Sequence, residues 1–435
     1  MVSICLVIAS NLASTAPAEP ILGEPRERVI HYEATNGLAD PVARLRELLV
    51  TGKTTLTWDP QRGYLPALLH ALRVPISSQS LVFSKTSSQR DHTSPKTPRA
   101  VYFSDNVSVG WTPDSPTIDI IAVDPDRGPI FYTLDQRLEK SATFKRDAEC
   151  MQCHLGGKTL HVPGLLVRSV YADPQGMPLA KVGDFINGHN SPLRERWGGW
   201  YVTGTHENEL HLGNIFATNL DNPQSIDLSA GANITDLTGR FDHSRYLASG
   251  SDIVALLVLE HQARMQNLLT RANFETRFAL DDEKSMAPAT QIAVTAADAA
   301  TWRQERIAIA AEALLEYMFF RDEAPLAGRV QGTSGFAEEF AAAGPRDSKG
   351  RSLRQFDLNT RLFRFPCSYL IYSPSFEALP PQMKACLWRR FEQILTGQDQ
   401  TLAYAGMSPS DRRNLLEILR ETKPEFAQSL TRAAR

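Results

Sequence analysis

The chain has 435 residues, more than one ordinary core requires, so two domains or one large elaborated domain are expected. Apolar residues make up 42%, charged residues 22%, and the net charge is −3, a soluble globular balance in which nothing argues for a nucleic-acid partner or a general membrane-surface partner. No apolar run reaches roughly 18 residues, so no transmembrane segment is predicted.

Residues 2–13, VSICLVIASNLA, are apolar and are followed by small residues at Ser14-Thr15-Ala16 and Ala16-Pro17-Ala18. They resemble the h-region and cleavage zone of a secretory signal, which places a signal peptide at 1–18, although no Lys or Arg precedes it. In DPVARLRELLVTG, Val42, Leu45, Leu48 and Leu49 form one helical stripe, with Asp40 as cap and Pro41 in the first turn. GYLPALLHALRV (63–74) reads as a second helix; its His70, among leucines, reads as a core or boundary histidine. Residues 84–99 have no apolar period and read as a polar loop in which His92 is solvated.

Strand chemistry follows. RAVYFSDNVSVGWTP predicts a hairpin about Asp105-Asn106, and TIDIIAVDPDRGPIFYTL predicts another turning at DPDRG. LDQRLEKSATFKRDAE (134–149) lacks Gly and Pro, is rich in charge and reads as a helix, which Gly156-Gly157 stops. Beyond it, VPGLLVRSVYADPQGMPLAKVGDF and GGWYVTG return to β patterning. Residues 221–249 read as a connection. SDIVALLVLEHQARMQNLLTRANFETRFAL is the strongest helical run, capped by Ser251 or Asp252 and apolar on nearly every face from Ile253 to Leu259, as a core helix is. A further helix is expected over 299–321, a loop at RDSKGRSLRQFD, a strand at FPCSYLIYS, and three closing helices at PPQMKACLWRRFEQILTG, PSDRRNLLEILRE and PEFAQSLTRAA. The expected fold class is α+β: an antiparallel sheet region around the helix that ends at residue 150 (19–245), then a mainly helical C-terminal region (246–435).

One stretch has residue types and spacing dictated by a specific chemistry: Cys150-Met151-Gln152-Cys153-His154. In C-x-x-C-H, two thiols can add across the vinyl groups of a haem, and the adjacent imidazole is then held to ligate the iron. With five Cys and ten His, a chance match is about one in a thousand. A zinc site needs further ligands, and Cys367 and Cys386 form no second C-x-x-C, although a distant His could complete a Cys₂His₂ set. A thioredoxin-like pair would open a helix rather than end one.

CMQCH at the end of a short helix resembles a c-type cytochrome. The chain after about residue 30 is similar to a poorly characterised family of bacterial proteins with one haem-attachment motif, through SSQSLVFSKTSSQ, RAVYFSDNVSVGW, AVDPDRGPIFYTLDQ, VPGLLVRSVYAD, RWGGWYVTGTH and FPCSYLIYS. The resemblance implies one covalent haem c, redox work in the periplasm or otherwise outside the cytoplasm, and a redox partner protein; it supplies no substrate. It also implies that Pro163 orients the imidazole through its carbonyl, against the alternative of a strand-entry proline.

Other site residues follow from chemistry. Arg194 and Arg196 match haem propionates or surface carboxylates equally well. Trp197, Trp200 and Tyr201 offer a flat apolar wall, or an ordinary core, and Gly198-Gly199 allow close backbone approach. For the distal iron ligand the sequence offers His161, Met177, His189, His206, His211, His261 and Met265. His261 ranks first because it extends the buried helix with Met265 at i+4, then His189 and His211 in polar loops. Cys367 and Cys386 could close a disulfide in an oxidising compartment. Two function classes remain: an electron carrier with both axial positions filled, or a peroxidase-like enzyme or small-ligand sensor with an open iron position.

Overall fold

A computed structural model describes residues 21–137, 142–289 and 295–433; the expected signal segment at 1–18 lies outside them. The chain begins with helices α1 (Glu24–Ile30), α2 (Pro41–Val50) and α3 (Leu65–Leu72). Six strands follow: β1 (Ser80–Val82), β2 (Arg99–Phe103), β3 (Val107–Trp111), β4 (Thr117–Asp124), β5 (Gly128–Asp135) and β6 (Phe144–Arg146). A single turn of helix, α4 (Met151–His154), carries the cysteine–histidine motif. Then come β7 (Arg168–Val170), β8 (Asp184–Ile186) and β9 (Trp200–Tyr201). The C-terminal part is helical: α5 (Ile253–Ala289), α6 (Ala296–Met318), α7 (Phe336–Ala342), α8 (Pro374–Glu377), α9 (Pro381–Leu395), α10 (Pro409–Thr422) and α11 (Pro424–Ala433).

The main sheet is a seven-stranded antiparallel meander in the order β6-β5-β4-β3-β2-β1-β9, and β7 and β8 pair separately. The α+β class is therefore observed. Both expected hairpins form: β2 and β3 turn through Ser104-Asp105-Asn106, and β4 and β5 through Pro125-Asp126-Arg127, where Gly128 takes the left-handed conformation that ends the turn. Asp40 caps α2 by accepting from the N–H groups of Val42 and Ala43, and its other oxygen accepts from Tyr132 on β5, so the cap also ties helix to sheet.

Two expectations are corrected. The described residues of the stretch expected as a helix, 134–137 and 142–149, are not helical: β5 runs through Leu134, and β6 pairs with it, Phe144 opposite Leu134 and Lys145 opposite Thr133. Helix propensity here yields to the unpaired edge of β5 and to burial of Phe144 against Leu134. FPCSYLIYS is not a strand. Tyr369–Tyr372 form a 3₁₀ turn capped by Ser368, and Ser373 with Pro374 starts α8; the run is buried on all sides, and periodicity alone does not separate strand from helix in such a run.

Helix α5 is 37 residues long, and all of Ile253–Leu259 are buried. One large core joins it to α6, α9 and the sheet residues Val82, Phe103 and Trp200; a second core lies between α2, α3 and the opposite sheet face. Cys367 is buried in the first core, Cys386 is half-buried on α9, and both thiols are free, so the disulfide considered above is not formed.

Asp252, almost fully buried, accepts from Val254 and Ala255 at the start of α5 and from the backbone of Thr333 and Ser334. Asp252→Ala is expected to destabilise the protein by about 2–4 kcal/mol, about 1 from the cap and the rest from stranded buried donors. The check is the urea midpoint; a midpoint equal to that of the wild type contradicts it.

Candidate functional site

The motif sits where the edge strand β6 leaves the sheet. The Asp147 side chain accepts from the Glu149 N–H and starts the turn, and the N–H of His154 closes it on the Cys150 carbonyl. Leu155 is extended and Gly156 follows in extended backbone, so the helix stops after one turn. Residues 156–162 reverse the chain through Leu160 and His161, both in the left-handed region, and Leu155 bridges to Pro163.

This reversal brings Gly164 against His154 twice. The Gly164 N–H donates to the His154 carbonyl (2.9 Å), and the Gly164 carbonyl lies 2.7 Å from His154 Nδ1. The orienting carbonyl is thus that of Gly164, one residue beyond Pro163. A carbonyl only accepts, so Nδ1 carries the proton and Nε2 presents its lone pair. Nε2 has no protein partner among the described residues. Burial lowers the His154 pKa, with the Gly164 carbonyl opposing, so the ring is held neutral at pH 7. Phe131 of β5 packs against the ring with centroids 4.9 Å apart.

Gly164 is itself held from α5. Asn267 accepts from the Leu165 N–H (2.7 Å) and donates to the Leu165 carbonyl (2.9 Å). A Cβ on Gly164 would lie 2.6 Å from Asn267 Oδ1 and 2.8 Å from Thr159 Cβ, so no side chain fits there. Asn267 and Gly164 carry no sequence signal for this role; their importance appears only when the chain is folded.

Both motif thiols are free, Cys153 exposed and Cys150 half-buried. Burial, reinforced by Asp147 and Asp119, pushes the Cys150 thiol up to about 12. A dithiol redox pair needs the opposite shift. Among the described residues no group of three or more His, Cys, Asp or Glu is placed to hold a metal ion. The residues present do fit a covalently attached haem: two free thiols, and an imidazole with the correct tautomer and a second-sphere partner.

The other sequence-predicted residues lie elsewhere. His189 and His261 form a buried pair, Nδ1 to Nδ1 at 2.9 Å, stacked with Tyr317 and Phe320. His261 Nε2 lies 2.8 Å from Ser368 Oγ, so both its ring nitrogens are engaged. His211 accepts from the Gly213 N–H and packs beside His206 and Trp197. No hydrogen bond or ring contact among the described residues links His154 to His189, His211 or His261. His161 and Met177 are exposed, Met265 is in the core, and His70 and His92 are at the surface. Arg194 is exposed. Arg196 is buried and forms a 2.8 Å ion pair with Glu260 while donating to the carbonyls of His189 and Ser191. Trp197, Trp200 and Tyr201 are core, and a Cβ on Gly198 would meet the Val170 carbonyl at 2.5 Å, so the close approach is to the backbone of β7.

Comparison with protein-family models, with curated proteins and with solved structures finds no match to this chain.

Acid should weaken this interior. Burial drives His261 and His211 down to about 3, and lowers His189 and His206. The unfolded chain then binds protons from about pH 6.5 downward that the native state refuses, so stability falls as pH falls. Burial raises Glu260 and Glu323 to about 7, which acts the other way between pH 7 and 4.5, but four imidazoles outweigh two carboxyls. Between pH 6.5 and 4.5 the unfolding free energy is expected to drop as pH falls. Denaturant titrations at several pH values test this; a flat or rising profile contradicts it.

Proposed function

We propose that the protein is a c-type cytochrome that carries one haem covalently on Cys150 and Cys153, ligates its iron through His154, and exchanges electrons with a partner protein outside the cytoplasm. The observation that carries this reading is the Gly164 carbonyl on His154 Nδ1, which fixes the imidazole in the tautomer with a free Nε2 lone pair. A bound haem supplies one-electron redox chemistry at this position. The chain's own contribution is positional. Asp147 starts the turn that spaces the thiols, Gly164 aims the ring, Asn267 holds Gly164, and burial keeps the imidazole unprotonated. The extracytoplasmic placement is supported by the motif, since such haems are attached on the outer side of the bacterial cytoplasmic membrane. No helix among the described residues is long and apolar enough to cross a membrane.

A second reading, a peroxidase-like enzyme or small-ligand sensor with an open iron position, is favoured by a different observation. His261 has both ring nitrogens engaged, and His189 and His211 each use Nδ1 in a buried hydrogen bond. Recruiting His261 to a metal would strand a buried partner, at about 1–3 kcal/mol.

Protein produced with haem-attachment machinery should keep a haem-peroxidase stain through denaturing electrophoresis, and Cys150→Ala with Cys153→Ala should abolish it. A colourless protein containing one zinc ion would overturn the assignment. Optical and EPR spectra separate the two readings: a low-spin six-coordinate haem supports the carrier, and a high-spin five-coordinate haem supports the open site.

A further inference from the structure

The main sheet has two unlike faces. On the face turned to α2 and α3, Ala100, Tyr102, Ile118, Ile120 and Tyr132 are buried without exception. On the other face the strand register places Val101, Gly110, Asp119 and Thr133 in one row, with Arg99 and Ile121 beside them. There Arg99, Val101, Asp119, Ile121 and Thr133 are all only partly buried. The patch, which the core covers only in part at Val101 and Ile121, adjoins the motif. Ile121 pairs with Phe131, which packs against His154, and Arg99 and Asp119 act electrostatically on both Cys150 and His154.

Within the patch Arg99 is held in an unusual way. Its guanidinium lies flat on the backbone of Gly110, where a Cβ would come within 1.9 Å of Nη2 and 2.4 Å of Cζ. Nη2 donates to Asp119 Oδ2 at 3.0 Å, and Ser88 Oγ donates to the same oxygen. Arg99 Nε is buried and has no hydrogen-bond partner among the described residues. A stranded buried N–H costs about 1–3 kcal/mol, so a carboxylate that accepts from it is favoured. A guanidinium presents five donors in a planar fork suited to such a carboxylate, and Asp119 uses only one edge of it.

We propose that this sheet face is the seat of the haem tethered at Cys150 and Cys153, and that Arg99, supported on Gly110, holds a haem propionate. The proposal rests on the haem reading above and assigns two residues that the motif does not contain. The occupant follows from three features found together: a covalent tether at the edge of the patch, an apolar floor of Val101 and Ile121, and an arginine with a spare buried donor. Asp119 neutralises Arg99 only through a single oxygen that Ser88 shares, which leaves the cation available to a second carboxylate.

The test uses the haem-loaded full chain and three variants, Arg99→Leu, Arg99→Lys and Gly110→Ala. Covalent attachment depends on the thiols, so the haem stain should remain in all three. Loss of the positive charge in Arg99→Leu should lower the midpoint potential in a spectroelectrochemical titration, because the ferric form then loses a repulsive neighbour. Resonance Raman should show the propionate bending band displaced in Arg99→Leu, and also in Arg99→Lys and Gly110→Ala, where charge is kept but the fork is replaced or pushed off its support. A stained, folded Arg99→Lys protein with the wild-type band, together with an Arg99→Leu protein at the wild-type potential, would overturn the seat while leaving the haem reading intact. Wild-type protein without covalent haem would overturn both.

Discussion

From Ile253 to Thr270 helix α5 runs through the interior, with only Arg264 partly exposed, so the polar side chains of this stretch are placed to find their hydrogen-bond partners inside the protein. The partners are largely the backbone of loops. Gln262 donates to the Ser104 carbonyl, Gln266 to the Asp105 carbonyl, and Asn267 brackets Leu165. A buried amide that must be satisfied thereby fixes segments with little regular structure of their own. The turn between β2 and β3 and the return strand after the motif are both set from the same helix. The orientation of His154 is the last step of that chain of constraints, reached through Leu165 and Gly164.

The same requirement explains the buried cluster around His189 and His261. Arg196 and Glu260 are an ion pair removed from water, which Coulomb attraction alone seldom stabilises; the two carbonyls that accept from Arg196 complete its shell. The two imidazoles stay neutral because burial disfavours the charged form, and a neutral pair can share one N–H between two Nδ1 atoms. Tyr317 and Phe320 close the stack from α6 and the turn after it. This arrangement locks the 187–191 loop to α5 and α6, and leaves His189 Nε2 without a hydrogen-bond partner among the described residues.

Features set by neighbours in sequence were legible before folding. Asp40-Pro41 announces α2 and the DPDRG turn announces its hairpin, because each is completed by local atoms. The failures share an opposite cause. The 134–149 stretch has helix-forming composition, yet Phe144 and Lys145 are claimed by a strand edge formed by Leu134 and Thr133. The carbonyl on His154 was placed at Pro163 rather than Gly164, since the spacing of a loop that passes through two left-handed residues is not readable from its sequence. Asn267 and Arg99 were not singled out at all. Their partners lie far away along the chain or depend on which face of a strand they occupy, and nothing in a single sequence encodes that register. His189 and His261 were each read as possible ligands, but their contact with one another, 72 residues apart, was invisible.

The geometry of the motif also bears on why so long a chain surrounds it. A four-residue helix lies far below the length at which a helix persists in water, so α4 owes its shape to tertiary contacts. Three of these act from different parts of the fold: the Asp147 N–H on the Phe131 carbonyl at the end of β6, the Phe131 ring on β5, and the Gly164 backbone held by α5. Remove the sheet and the ring support goes; remove α5 and the carbonyl on Nδ1 goes. The sheet and the long helix therefore act together on one imidazole, and the site is built by packing instead of by a self-sufficient helical bundle.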